Sequence, residues 1–233
     1  MPIGGLCRTM KNLVITIDGP AGSGKSTVAR RLAERLRASF LDTGAMYRAV
    51  TLAAMDAGVD LADEKALEQV VDSHRFEFSP GPGGMEVRID GQDMTEAIRG
   101  QQVTSNSRYI ASAPQVRRRL VEMQRLFARQ HGRIVTEGRD QGTVAFANAD
   151  VKFYLTAEPA ERARRRAAEL LARGKHVSGR RMQEDIEARD RRDMEREIGP
   201  LKPAPEATVV DTTDMGIEAV VDALEAVVRE RCS

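Results

Sequence analysis

Short apolar runs alternate along the chain with longer stretches in which apolar side chains return every three or four positions. The continuous runs are Leu13 to Ile17, Ser39 to Leu41, Ile134 to Thr136, Val151 to Leu155 and Ala207 to Asp211. A short run without a polar face predicts a strand covered on both sides, as in a parallel sheet. The stretches between them have helical spacing. Val28, Leu32 and Leu36 follow the first run, and Ala45 to Met55 follows the second. Pro114 to Gln130 places Val116, Leu120, Met123 and Phe127 on one face, with proline at its start. Further helices are predicted over 159–172 and 180–196, and over Ile217 to Val228. Strands alternating with helices predict an α/β, three-layer fold around a five-stranded parallel sheet.

Residues 62–100 break this rhythm. Ala66, Leu67, Val70 and Val71 suggest a short helix, His74 to Phe78 alternates, and Pro80-Gly81-Pro82-Gly83-Gly84 is a turn cluster. Met85, Val87 and Ile89 then alternate again before Asp90-Gly91. The pattern predicts a β-hairpin in a small inserted lobe, with the core formed by 12–61 and 101–230. Residues 1–11 lack an apolar segment of signal-peptide type and are expected to be a disordered extension, in which Met10 could be the native start.

In a parallel α/β sheet, ligands collect at the carboxyl ends of the strands. The first strand ends there in Asp18-Gly19-Pro20-Ala21-Gly22-Ser23-Gly24-Lys25-Ser26-Thr27. Gly19 to Ser26 fits G-x-x-x-x-G-K-[ST], the P-loop. Its glycines let backbone N–H groups converge on phosphate oxygens, and the helix that starts near Lys25 aims the positive end of its dipole at them. Lys25 adds a charge at the transferring phosphates, and the hydroxyl of Ser26 or Thr27 can ligate Mg²⁺. Asp42-Thr43, Arg48, and Glu137 to Asp140 follow the second and third strands, so they are expected on the same side as the P-loop.

Composition narrows the partners. Thirty-six Lys and Arg against 35 Asp and Glu leave the chain nearly neutral, and 4% aromatic residues with no Trp give few stacking platforms for nucleic acid. Cys7 and Cys232 lie at opposite ends and suit reduced thiols in a cytoplasmic protein. No apolar run approaches the ~18 residues of a transmembrane span. His74, His131 and His176 are scattered, without metal-ligand spacing. The D-x-x-G and N-K-x-D signatures of GTPase switches are absent. Between Arg162 and Arg196 lie eleven arginines interleaved with Glu161, Glu169, Glu184, Glu187, Asp190 and Asp193. About half are expected in solvated ion pairs. The remainder suit phosphate neutralisation, for which the planar, permanently charged guanidinium is better fitted than lysine.

Several stretches together resemble the bacterial cytidylate kinases, a nucleoside monophosphate kinase branch of the P-loop proteins. These are Ile15 to Thr27, Leu41-Asp42-Thr43-Gly44-Ala45-Met46-Tyr47-Arg48, Glu137-Gly138-Arg139-Asp140-Gln141-Gly142-Thr143, Glu161-Arg162-Ala163, Arg189-Asp190-Arg191-Arg192-Asp193, and Val209 to Thr213. The resemblance runs from about residue 12 to 228. It implies a monomeric, ATP- and Mg²⁺-dependent enzyme that phosphorylates CMP or dCMP, with the inserted lobe over the acceptor and a helical lid at about 158–178. Another small-molecule kinase, for UMP, a nucleoside or shikimate, is the alternative. By motif position, ATP would lie on Gly19 to Thr27, with Arg162 and Arg166 reaching it. Thr43, Arg48 and Arg139 would face the CMP phosphate, and Arg117 and Asp140 the cytosine. Arg189 and Asp193 would hold the ribose, and Lys25, Arg139 and Arg196 would act on the phosphoryl group in transfer. Which of Ser105, Ser107 and Arg108 reads the base is left open by the resemblance.

Overall fold

The computed structural model describes residues 12–172, 174 and 178–232. The expected extension at 1–11, Cys7, His176 and part of the expected lid lie outside the described residues. The chain divides into two compact units, one formed by the described residues before 39 and after 131, the other by Ser39–His131.

The first unit starts with β1, Leu13–Asp18, and α1, Lys25–Leu36. After the second unit it resumes with β6, Arg133–Gly138; a π-helical turn, Gln141–Ala145; β7, Val151–Thr156; α6, Pro159–Leu171; α7, Gly179–Met194; β8, Thr208–Asp211; and α8, Ile217–Arg231. β1 is flanked by β6 and β7, both parallel to it, with Ile15 opposite Val135 and Val151. That central place explains its apolar composition. Leu13, Ile15 and Ile17 are fully buried, and so is Thr16 between them. Val28, Leu32 and Leu36 of α1 and Val220, Val221, Leu224 and Val228 of α8 complete the core at the helical spacing of the sequence. Val209 on β8 is 58% exposed, as an outer position of the sheet requires.

The second unit holds β2, Ser39–Asp42; α2, Thr43–Asp56; α3, Glu64–Ser73; β3, Phe76–Gly81; β4, Gly84–Ile89; β5, Gln92–Asp93; α4, Gln101–Ser112; and α5, Pro114–His131. Carboxylates start two of its helices. Asp42 accepts from Ala45 N, and Asp63 accepts from Lys65 N and Ala66 N. The hairpin in 62–100 is present, and β5 adds a third antiparallel strand. Met85, Val87 and Ile89 turn inward as their alternation requires. The apolar pattern does not predict α4, because its buried residues, Val103 and Ile110, are separated by a polar stretch that carries no face. The five-strand sheet has the order β2-β6-β1-β7-β8, as expected of the α/β, P-loop type.

Candidate active site

The P-loop joins β1 to α1, and its form follows from its glycines. Gly19 has φ +149°, and a Cβ there would sit 2.0 Å from the carbonyl oxygen of Leu155. No other residue fits at that position. Gly24, with φ +87°, precedes α1, whose N-terminus has neither a side-chain cap nor an acidic residue in its first turn. α2, α3 and α7 each close the same end with Asp42, Asp63 or Ser178. The first N–H groups of α1 are thus left for an anion.

Lys25 lies folded into this loop. Its Nζ donates to Pro20 O at 2.6 Å and to Ser23 Oγ at 3.3 Å. Burial lowers its pKa, and the charges of Arg139 and Arg189 lower it further, against the opposite pull of Glu137 and Asp18. Ser26 Oγ donates to Glu137 Oε1 at 2.8 Å. Glu137 is a buried carboxylate at the end of β6, directly beside β1. Thr27 is half-buried on α1.

The residue that follows β6 is the expected arginine. Arg139 Nε donates to Asp193 Oδ2 at 2.9 Å, and its Nη1 donates to Gly138 O at 3.1 Å. Burial opposes the charges of both partners. The Asp193 and Glu137 carboxylates nevertheless raise the guanidinium's pKa, while Arg139, Arg196 and Arg189 hold Asp193 below the usual carboxylate range. Arg196 approaches Asp193 Oδ1 at 3.8 Å. Lys25, Arg139, Arg189 and Arg196 therefore share one neighbourhood with Glu137 and Asp193. Asp140 is buried one residue past Arg139 and opens the π-helical turn, accepting through its carbonyl from Val144 N and Ala145 N. Asp18, at the end of β1, accepts from Gln141 N at 2.9 Å and Gly142 N at 2.8 Å, and burial raises its pKa to about 7.

The two lid arginines are placed differently from one another. Arg166 Nη1 lies on Glu169 of its own helix at 2.6 Å. Arg162 is buried, ion-paired with Asp190, and donates to Ala21 O at 2.9 Å. Arg164 and Arg165 both lie on Glu161, and Arg180 on Glu184; Arg164 and Arg180 are exposed, as expected of solvated pairs, whereas Arg165 is largely covered. Arg165 also donates to Thr212 Oγ1 at 2.9 Å, which ties α6 to the loop after β8.

In the second unit α2 gathers the expected acceptor residues. Thr43 is buried in its first turn. Arg48 Nη2 donates to Asp42 Oδ2 at 3.3 Å, and its buried Nε has no partner. A Cβ on Gly44 would lie 2.9 Å from Arg48 Nη1, so this glycine leaves room for the guanidinium. Arg117, buried on α5, donates to Ala111 O at 3.2 Å and lies over the Tyr47 ring, 5.8 Å from its centroid. Ser105, Ser107 and Arg108 lie on α4, where Ser107 Oγ donates to Thr104 O and Arg108 stacks on Tyr109.

Comparison with known proteins decides among the kinases that share a P-loop. The family model described as cytidylate kinase matches residues 15–230. The chain belongs to the cytidylate kinase family. A cytidylate kinase of Geobacillus kaustophilus (strain HTA426) is 46% identical over 221 residues, covering 95% of this chain and 98% of its own. That of Rhodococcus opacus (strain B4) is 45% identical, with 94% and 96% covered. That of Pelotomaculum thermopropionicum (strain DSM 13744 / JCM 10971 / SI) is 48% identical, with 91% and 94% covered. Membership in the cytidylate kinase family makes this an ATP-dependent nucleoside monophosphate kinase, and a nucleoside or shikimate kinase is not favoured. Among the described residues no helix is long and apolar enough to cross a membrane.

Sequence reasoning did not single out Glu137, Asp190, Asp18 or Arg165 as site residues. Each stands inside or beside a recognised motif. What makes it notable is the partner it meets, which lies 47 to 169 positions away along the chain.

Proposed function

We propose that the protein transfers the γ-phosphoryl group of ATP to CMP or dCMP, giving ADP and CDP or dCDP, as a cytoplasmic monomer that needs no nucleic acid or membrane. The observation that carries the reading is the cluster of Lys25, Arg139, Arg189 and Arg196 beside an uncapped helix N-terminus. The near-neutral charge and the presence of only two cysteines, Cys7 and Cys232, in the sequence support the cytoplasmic reading.

Phosphoryl transfer needs its two substrates in line and its spreading negative charge neutralised, with little covalent work by the protein. The Gly19–Thr27 loop binds the ATP phosphates through backbone N–H groups other than that of Ala21, which Asp190 holds, and Lys25 leaves Pro20 O to meet the transferring oxygens. Arg139 and Arg196 hold the acceptor phosphate against the γ-phosphoryl, with Asp193 orienting both guanidinium groups. Arg166 leaves Glu169 to reach ATP. Arg189 and Asp193 bind the ribose, Thr43 and Arg48 bind the acceptor phosphate, and Arg117 and Asp140 read the cytosine.

The Ser26 hydroxyl and Glu137 carboxylate, 2.8 Å apart, are hard oxygen donors that fit Mg²⁺. When bound, Mg²⁺ supplies charge neutralisation at the β- and γ-oxygens.

A coupled assay over CMP, dCMP, UMP, AMP and dTMP with saturating ATP tests the function. CMP and dCMP should give the highest kcat/KM. A preference for AMP, dTMP or UMP would overturn the substrate assignment.

A further inference from the structure

A buried ion pair grips the P-loop from outside the phosphate site. Asp190 on α7 and Arg162 on α6 pair with each other, and both are almost fully buried. Each also holds the same P-loop residue. Ala21 N donates to Asp190 Oδ1 at 2.9 Å, and Arg162 Nη1 donates to Ala21 O at 2.9 Å. Arg162 is itself anchored, since its Nε donates to Ala157 O at 3.0 Å. The Ala21 methyl group packs with Ala163, Met182 and Ile186, so this P-loop residue belongs to the apolar contact between α6 and α7. The next residue is equally confined. Gly22 has φ +77°, and a Cβ there would lie 2.9 Å from Arg162 O.

Burying two charges costs free energy that hydrophobic residues of similar volume would not, so such a pair is poor evidence of stabilisation. Its hydrogen bonds here satisfy both backbone polar groups of one loop residue, at the turn that aims the following amides. A phosphate cradle works best when its donors are fixed before the ligand arrives. We propose that Arg162 and Asp190 are positioning residues that hold Ala21 and thereby preset the P-loop for the ATP phosphates. Arg162 then acts through the loop backbone, and the helices that carry Arg166, Arg189 and Asp193 are fastened to the loop that binds ATP.

The proposal rests on the reading of Gly19–Thr27 as the ATP site, so ATP binding by the unaltered protein is measured first. Loss of that binding would overturn both readings, while its presence isolates the clamp. Removing one partner leaves a buried charge and can prevent folding, so the main variant is the double replacement Arg162→Met with Asp190→Leu. It should melt close to the unaltered protein and bind ATP about tenfold or more weakly in calorimetry, with CMP affinity changed less than about twofold. Asp190→Asn, which keeps an acceptor for Ala21 N and loses the charge, should fall between. In the unaltered, ligand-free protein the Ala21 amide should exchange slowly with solvent. A double variant that binds ATP within twofold of normal, or a freely exchanging Ala21 amide, would overturn the clamp. Equal losses of ATP and CMP affinity would also overturn it, since that marks a general structural role.

Discussion

Lys25 and Asp18 are the residues whose environment most opposes their ordinary charge. A lysine replaced by an isosteric apolar residue at this depth should not weaken the fold, because burial and two neighbouring guanidinium groups already disfavour the ammonium. Lys25→Met is expected to melt no lower than the unaltered protein while losing ~10²–10³ in kcat/KM, about 3–4 kcal/mol of transition-state stabilisation. Thermal melts beside turnover check this; a stable variant with near-normal turnover would remove Lys25 from the transfer step. Asp18 makes a pH prediction. Its carboxyl keeps its proton up to about pH 7 in the folded chain, whereas the unfolded chain loses it near the ordinary 3.8. The folded state binds more protons in that window, so stability falls as pH rises through it, by at most about 4 kcal/mol. Asp18→Asn lacks this dependence. The stability of the variant relative to the unaltered protein should rise between pH 4 and 8, measured by denaturant unfolding at each pH. A constant difference would show that Asp18 does not titrate there.

At the scale of elements, the end of β6 divides two tasks between adjacent residues. Arg139 is committed to Asp193, and Asp140 turns into the π-helical segment. A carboxylate that accepts from the cytosine amino group would face O4 of uracil as an unpaired acceptor. Asp140→Ala should cost CMP roughly 2–3 kcal/mol in kcat/KM and cost UMP much less, which lowers discrimination by one to two decades. An unchanged CMP-to-UMP ratio would leave Asp140 a structural role alone. The same strand shows what the sequence could disclose. The place of Arg139 beside Lys25 was legible because strand ends face one side of a parallel sheet, and position after a strand predicts position in space. The P-loop was legible because its glycines and Lys25 are consecutive. Glu137 on Ser26 and Asp190 on Ala21 were not, because each contact spans more than a hundred positions and both carboxylates lie among other charges. Arg117 needed its family motif, since one arginine of a basic helix carries no mark of the burial it acquires.

At the scale of the whole molecule, the proposed ATP contacts fall in the first unit and the proposed CMP contacts in both. P-loop residues, Arg139, Arg189, Asp193 and Arg196 belong to the first, and Thr43, Arg48 and Arg117 to the second. Because no proposed ATP contact lies in the second unit, a substitution there should affect CMP and spare ATP. Arg48 has a buried Nε without a partner and a glycine that makes room for its guanidinium, so it is prepared for an anion rather than satisfied by Asp42. Arg48→Ala should raise the KM for CMP at least tenfold and leave the ATP dissociation constant within about twofold, because a lost phosphate contact is worth ~1.5–3 kcal/mol. Hydrogen exchange gives a reading that needs no substitution. CMP alone should slow exchange across α2 and the segment from α3 to β5, and ATP alone across α1 and α6. Both together, or a bisubstrate mimic, should slow exchange in both sets beyond the sum, since the γ-phosphoryl must be shielded from water before transfer. Strictly additive protection would show that the two substrates bind independently.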